Sequence, residues 1–166
     1  MRLKNKVAIV TGAAHGMGQS IAQVFAREGA RVVLADILET EGRTVADTIT
    51  AEGGEAIFLG LDVSDETQWN EVIRATLKRF AKIDILVNNA GISGAVPDRM
   101  STEYFDKLMA VNTRGTFLGM KSVIPALQKS GGGAIVNLSS ISGIIGQEFV
   151  HMGYNAAKGA IRVMTK

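Results

Sequence analysis

Short apolar runs rich in β-branched residues alternate along the chain with longer segments whose apolar residues recur at helical spacing. The short runs predict strands that are buried on both faces, and the longer segments predict amphipathic helices. The predicted strands are 7–11, 31–35, 56–61, 83–87 and 134–138. The predicted helices are 16–28, 38–52, 66–80, 102–128 and a last one that begins near Gly153 and still runs at Lys166. We expect the helix over 102–128 to bend near Gly115 and to end around Pro125, which has no backbone N–H.

This alternation favours an α/β fold, a doubly wound parallel sheet whose right-handed crossovers place helices on both faces. The 166 residues suit a single domain over 1–166. Hydrophobic residues make up 46% of the chain and charged residues 20%, a balance that excludes a disordered chain. The net charge is +2 and the basic residues are scattered, which argues against a nucleic-acid partner.

The residue content of the chain argues against disulfides, metal sites, secretion and membrane insertion. Cysteine is absent, which excludes disulfides and thiolate metal sites and fits a reducing compartment. His15 and His151 are far apart in sequence and have no cluster of further ligands, so no metal site is predicted. The apolar run 7–10 follows basic residues as in a secretory signal, but it is too short for one. No apolar run spans a bilayer, so we expect a cytoplasmic protein without a membrane partner.

A glycine-rich turn, TGAAHGMG over residues 11–18, joins the first predicted strand to the first predicted helix. Glycines there allow a pyrophosphate to approach closely, and the helix start offers free N–H groups and a positive dipole end. The spacing is G-x-x-x-G-x-G rather than the common G-x-G-x-x-G. Such a segment can be only a turn, but its position between strand and helix predicts a dinucleotide site.

Two aspartates follow the second and third predicted strands. A carboxylate at Asp36 can accept hydrogen bonds from the adenosine ribose hydroxyls and would repel a 2′-phosphate, so NAD is favoured over NADP. The alternative is that Asp36 caps the helix over 38–52. Asp62 could likewise be a helix cap or contact the adenine.

Candidate catalytic groups lie near the carboxyl ends of the later strands. Tyr154 and Lys158 are four residues apart, so they share one face of the last helix, and an ammonium there would stabilise a phenolate for acid–base work. Alone, such a pair could equally face solvent. Ser139 and Ser140 close the fifth strand, and only one of them can point into a site at that edge. Asn112 lies inside a predicted helix, where asparagine is mildly unfavourable unless it faces solvent or has a function.

Taken together, the 11–18 turn, the NNAG segment at 88–91, Asn112, Ser140 and Tyr154-x-x-x-Lys158 resemble the short-chain dehydrogenase/reductase family, in its main single-domain branch. The resemblance covers essentially the whole chain. It implies a Rossmann-like sheet with strand order 3-2-1-4-5, truncated before the usual C-terminal strands. It also implies that Asn88 steadies the centre of the sheet.

The resemblance implies a role for each motif residue. Tyr154 would donate and accept the proton, Lys158 would assist Tyr154 and bind the nicotinamide ribose, and Ser140 would hold the substrate oxygen. Asn112 would hold a water in a proton relay, and the family pattern favours Ser140 over Ser139. The implied cofactor contacts are Gly12, His15, Gly16, Met17, Gly18, Asp36, Asp62, Val63, Asn89, Ala90, Gly91, Tyr154 and Lys158.

The implied activity is NAD-dependent interconversion of a secondary alcohol and a ketone on a small molecule. Segments 93–99 and 142–153 are expected to line the substrate pocket.

The resemblance also bears on assembly and length. Relatives form dimers or tetramers through the fourth and last helices. Family members continue well past the last helix of this chain, and the fifth strand here is expected to be a sheet edge. Two alternatives therefore stay open: a truncated, non-catalytic dinucleotide-binding or subunit-interaction module, and an NADPH-dependent reductase of the 3-oxoacyl carrier-protein type, which Asp36 disfavours.

Overall fold

A parallel sheet of five strands, in the order β3-β2-β1-β4-β5, forms the centre of the computed structural model, which describes residues 1–166. In this order β1 lies between β2 and β4, with Ile9 opposite both Val33 and Leu86. The strands are β1 (Val7–Thr11), β2 (Arg31–Asp36), β3 (Glu55–Gly60), β4 (Ile85–Asn88) and β5 (Ala134–Asn137). The predicted α/β class, parallel pairing and strand order are confirmed.

Helices cover both faces of this sheet. They are α1 (Gly16–Arg27), α2 (Glu39–Ala51), α3 (Glu66–Phe80), α4 (Thr102–Leu108), α5 (Gly115–Lys129), α6 (Ser142–Ile145) and α7 (Met152–Met164). A π-helical turn, Met109–Arg114, joins α4 to α5. None of these helices combines the length and the apolar character that crossing a bilayer requires.

Alternate side chains of β1 enter two separate cores, as strand geometry requires. Val7 and Ile9 belong to a cluster of 15 buried residues that packs under α3 and α5. Ala8 and Val10 belong to a cluster of 14 that packs under α1 and α2. All residues of β1 are buried, which explains why it is a continuous apolar run in the sequence.

The structure corrects the prediction in the fourth helical segment. The single helix predicted over 102–128 is interrupted by the π-helical turn, which ends at Arg114, next to the expected bend at Gly115. Pro125 lies inside α5 and does not end it. The proline removes only one intrahelical hydrogen bond on an exposed face, while Val123 and Leu127 keep the helix packed on the core.

The region around β5 also differs in detail from the prediction. The short helix α6 was not predicted, because one turn is too brief to show a helical period. β5 is an edge strand, as expected, and Val136 on it is 46% exposed.

Candidate active site

The glycine-rich turn passes so close to the residues that follow β4 that side chains would not fit at Gly12 and Gly18. A Cβ at Gly12 would lie 2.8 Å from the Cα of Ala90, and one at Gly18 would lie 2.5 Å from Nδ2 of Asn89. Gly12 and Gly16 have φ angles of 64° and 58°, a region that favours glycine. Nothing lies within 4 Å of the Cβ position at Gly16, so the start of α1 faces open space.

Asn89 and Thr11 fasten this turn to the end of β4. The side-chain amide of Asn89 donates to the carbonyls of Thr11 (2.9 Å) and Gly12 (3.1 Å). The hydroxyl oxygen of Thr11 accepts from the backbone N–H groups of Asn89 and Ala90, both at 3.0 Å. The side-chain donors of Asn89 are therefore occupied by the backbone of the turn.

Asp36 and Asp62 do not cap helices. The carboxylate of Asp36 is buried and accepts from the N–H of Ala14 (2.9 Å) and of Leu38 (3.1 Å), whereas α2 begins after Leu38. Asp62 accepts from the N–H of Ser64 at 2.9 Å, and the cap of α3 is Asp65. Both cap alternatives are wrong, and both aspartates lie on the wall of the same cleft.

That cleft, with a volume of about 560 Å³, runs along the carboxyl ends of β1 to β4. Its size is ordinary for a site that holds a small molecule or a cofactor. Its lining consists of Gly12, His15, Met17, Asp36, Ile37, Leu38, Leu61, Asp62, Val63, Asn89, Ala90, Gly91, Ile92, Lys107 and Val111. The uncovered start of α1 at one end and the apolar wall around Asp62 fit a dinucleotide.

Tyr154 and Lys158 lie on the face of α7 that meets the carboxyl ends of β4 and β5. Nζ of Lys158 is 5.8 Å from the ring centroid of Tyr154 and donates to the carbonyl of Leu138 at 2.8 Å. Lys158 is 6% exposed, and this burial lowers the pKa of its ammonium below 10.5. The pair does not face solvent, which removes the alternative considered for it.

Asn112 is fully buried in the π-helical turn, and its side chain forms hydrogen bonds with the backbone of the segment that follows β4. Its Oδ1 accepts from the N–H of Ile92 (2.8 Å), and its Nδ2 donates to the carbonyl of Ile92 (3.0 Å). A Cβ at Gly91 would lie 2.9 Å from Oδ1 of Asn112 and 3.7 Å from Nζ of Lys158. Because Gly91 lines the cleft, its backbone joins the cleft to the lysine.

A profile of the family described as short chain dehydrogenase matches residues 6–166. The chain belongs to the short-chain dehydrogenase family. It is 44% identical to trans-4-hydroxycyclohexanecarboxylate dehydrogenase of Sinomonas cyclohexanicum, over 99% of this chain and 66% of that protein. It is 42% identical to cyclopentanol dehydrogenase of Comamonas testosteroni, over 99% of this chain and 66% of that protein.

A further relative, 3-alpha-(or 20-beta)-hydroxysteroid dehydrogenase of Mycobacterium bovis, is 40% identical over 99% of the chain and 62% of its own length. The chain thus spans slightly less than two thirds of the length of these curated relatives. The resemblance stated from the motifs is confirmed at the level of the family.

The structure gives different roles to Ser139 and Ser140, which follow β5. Oγ of Ser139 donates to the backbone carbonyl of Lys158 at 2.7 Å, so this hydroxyl is used to hold α7. Oγ of Ser140 accepts from the N–H of Ser142 at 3.1 Å. The hydroxyl hydrogen of Ser140 is free for another acceptor, which suits the role that the family pattern gives it.

Most of the predicted cofactor contacts line the cleft, but four do not. Gly16 and Gly18 shape the turn at its end, while Tyr154 and Lys158 stand beyond Gly91. Sequence reasoning missed Lys107, because helix α4 reaches the cleft only through tertiary packing. The remaining lining residues without a predicted contact are Ile37, Leu38, Leu61, Ile92 and Val111.

Asn88 ties the sheet to the helix that covers it. Its Nδ2 donates to Oδ1 of Asn137 at 2.8 Å and to the carbonyl of Thr116 at 3.4 Å, and the residue is 4% exposed. The bond to Asn137 joins β4 to β5, in agreement with the steadying role implied by the family. Asn137 was not singled out from the sequence, since an asparagine at a strand end gives no distinct signal.

Proposed function

We propose that this single domain carries the cofactor site and the proton-transfer groups of an NAD-dependent dehydrogenase that interconverts a secondary alcohol and a ketone. The observation that carries the proposal is the buried ammonium of Lys158 beside the ring of Tyr154, one backbone segment away from the cleft. When bound, the nicotinamide supplies the hydride chemistry. The chain supplies orientation and proton transfer.

In this proposal Tyr154 accepts the proton of the substrate hydroxyl during oxidation and returns it during reduction. The positive charge of Lys158 favours the phenolate that must exist between these steps. Ser140 donates its free hydroxyl hydrogen to the substrate oxygen. The second lone pair on Oδ1 of Asn112 accepts from a water that carries protons onward from Lys158.

The residues that would hold NAD are those of the cleft and the turn. The open N–H groups at the start of α1, near Gly16, would hold the pyrophosphate. Asp36 would accept from both ribose hydroxyls, and its negative charge would repel the 2′-phosphate of NADP. Asp62 and Val63 would contact the adenine, and Lys158 the nicotinamide ribose.

The proposed substrate is an alicyclic secondary alcohol. Exposed apolar side chains surround the segment that follows Ser140, and they would pack against a hydrocarbon ring. These side chains are Ile141, Ile144, Ile145 and Phe149, at 55%, 62%, 69% and 76% exposed. The relatives named above act on a substituted cyclohexanol, on cyclopentanol and on hydroxysteroids, according to their names, which supports the same class.

The test is the rate of NAD and NADP reduction with cyclopentanol, cyclohexanol and 4-hydroxycyclohexanecarboxylate. We expect NAD to be the better cofactor and Tyr154→Phe to lower kcat/KM by about 10² to 10⁴-fold, the usual contribution of a general acid–base. Thr44→Val is the control, since it removes an exposed hydroxyl that bonds only within α2 and does not line the cleft. Full activity in Tyr154→Phe would contradict the proton-transfer role.

Two other outcomes of the same assay would favour the alternatives. Cofactor binding without turnover of any alcohol would favour a non-catalytic dinucleotide-binding or subunit-interaction module. Faster reduction of a 3-oxoacyl thioester with NADPH would favour the carrier-protein reductase type, against the argument from Asp36.

We also propose a homo-oligomer that forms through the outer faces of α5 and α7. Phe117 and Ile124 on α5 are 49% and 42% exposed, and Val163 on α7 is 70% exposed. Apolar side chains on neighbouring outer faces are typical of an interface between subunits. Light scattering of the chain in solution would test this, and a monomeric mass would contradict it.

A further inference from the structure

A buried histidine that the proposed mechanism does not use stands at the start of the helix that carries Tyr154. His151 is 1% exposed and lies three residues before the tyrosine. Its ring packs edge-on against Tyr104, with centroids 5.6 Å apart, and lies 6.5 Å from the ring of Phe105. Both aromatic rings belong to α4, so the imidazole lies between α4 and α7.

The two ring nitrogens bind two different helix starts. Nδ1 accepts from the N–H of Gly153 at 2.9 Å, a donor in the first turn of α7 that has no partner within the helix. Nε2 lies 3.0 Å from the carbonyl of Ser101, the residue that caps α4. An N–H can only donate and a carbonyl can only accept, so the ring is neutral and carries its hydrogen on Nε2.

The backbone of His151 extends this link to Tyr154 itself. Its carbonyl accepts from the N–H of Tyr154 at 2.9 Å, and its own N–H donates to the carbonyl of Gly94 at 2.7 Å. A Cβ at Gly94 would lie 2.6 Å from the Cβ of Tyr154. The segment after β4, the first turn of α7 and the start of α4 therefore meet at this one histidine.

We propose that His151 is a positioning residue that, as the Nε2–H imidazole, joins the start of α7 to the start of α4 and so fixes where Tyr154 stands relative to the nicotinamide site. This inference rests on the function proposed above. The usual capping residues satisfy a helix start but are too short to reach a second helix as well. The imidazole reaches both helix starts. A displacement of a catalytic group by about 1 Å can lower the rate about 100-fold.

The first test is the nitrogen chemical shifts of the imidazoles in the unmodified chain, under mildly basic conditions where imidazole is neutral. The chain has two histidines, so the signal of His151 is assigned as the one that remains in His15→Gln. We expect a single Nε2–H tautomer and a hydrogen on Nε2 that exchanges slowly with water. A mixture of tautomers, or hydrogen on Nδ1, would overturn the proposal without reference to activity.

The second test separates the two bonds by substitution. The amide oxygen of His151→Asn can replace Nδ1 at the helix cap, and the amide nitrogen of His151→Gln can replace Nε2 at Ser101, whereas His151→Ala replaces neither. We expect His151→Ala to lower kcat by about 100-fold with the KM for NAD nearly unchanged, since the cleft is formed by other segments. His151→Asn and His151→Gln should each recover part of this loss.

Hydrogen exchange in the chain without cofactor gives a readout that does not depend on turnover. The amides of Gly153 and Tyr154 should exchange at least about tenfold faster in His151→Ala, while amides in β1 stay protected. Unchanged exchange at those amides, or unchanged kcat in His151→Ala, would overturn the proposal. If the unmodified chain oxidises no alcohol, the proposed function fails, and the exchange and tautomer results still decide whether His151 holds Tyr154.

Discussion

Lys158 illustrates at the residue scale how a group suited to catalysis lowers stability. Its ammonium is buried and donates to the carbonyl of Leu138 rather than to a carboxylate, and this desolvation lowers its pKa. A buried charge without an ionic partner destabilises the folded state. We expect Lys158→Met to raise the free energy of unfolding at neutral pH by about 1 kcal/mol, and to abolish turnover.

The pH dependence of this effect has a definite sign. The unfolded chain keeps the proton of Lys158 up to pH 10.5, whereas the folded chain releases it at lower pH, so the folded state gains stability as pH rises between those two values. The advantage of Lys158→Met should therefore shrink towards pH 10.5. Denaturant unfolding of both proteins across this range would check it, and a less stable Met variant at neutral pH would contradict it.

Asp84 has the opposite effect on stability, at the amino end of β4. Burial acts to raise the pKa of Asp84, but hydrogen bonds from Lys82 and from the N–H of Val7, with the charges of Lys82 and Lys6, hold it below 3.8. Its carboxylate thus stabilises the fold above pH 3.8, and this contribution is lost as pH falls through the lowered value.

We expect Asp84→Asn to lower the free energy of unfolding by about 1–2 kcal/mol at neutral pH. The difference from the parent should vanish in acid, where the carboxylate is protonated. Urea titrations in the two conditions would measure this, with the exposed Asp47→Asn as control. A loss of stability that is the same at both pH values would mean that the charge of Asp84 does not matter.

At the scale of the element, the fit of α5 against α3 and the sheet depends on a glycine. A Cβ at Gly119 would overlap Oδ1 of Asn88 and lie 2.9 Å from the ring of Trp69. Both neighbours are buried and cannot move away freely. We expect Gly119→Ala to destabilise the fold by about 1–3 kcal/mol through overpacking, despite the higher helix propensity of alanine.

The control for this prediction is Gly60→Ala at the exposed end of β3, where nothing lies within 4 Å of the Cβ position and φ is not positive. Thermal unfolding of both variants would measure the difference. Equal melting temperatures for the two would show that α5 shifts without cost.

The elements also show what the sequence could and could not predict. β1 was predicted to the residue because both its faces are buried, and α3 because Trp69 and Val72 recur at helical spacing on its buried face. The π-helical turn has no periodicity of its own, and its only sign was Asn112, a polar residue inside an apolar helix pattern. The motifs gave Tyr154 and Lys158 as candidates, but the contact of Lys107 with the cleft depends on packing that no local pattern encodes.

At the scale of the whole molecule, the strand order creates the cleft. The chain builds β2 and β3 on one side of β1 and then crosses to place β4 and β5 on the other. The loops that leave β1 and β4 therefore run in opposite directions and leave a crevice at their carboxyl ends, where α/β sheets bind ligands. A ligand in this crevice contacts both halves of the sheet, so its binding should stabilise the entire fold.

This gives a prediction that does not require turnover. At about 100 times its Kd, NAD should stabilise the chain by about 2.7 kcal/mol. For a domain of this size that corresponds to a rise in Tm of roughly 5–10 °C, measurable by calorimetry.

NADP should give a smaller rise in Tm than NAD. Asp36→Ala should narrow the difference between the two rises, because it removes the charge that repels the 2′-phosphate of NADP. Tyr154→Phe should keep most of the shift, because the residues that line the cleft hold the adenosine half without the phenol hydroxyl. An equal rise with NADP in the unmodified chain would contradict the role of Asp36, and no rise with either cofactor would contradict the assignment of the cleft.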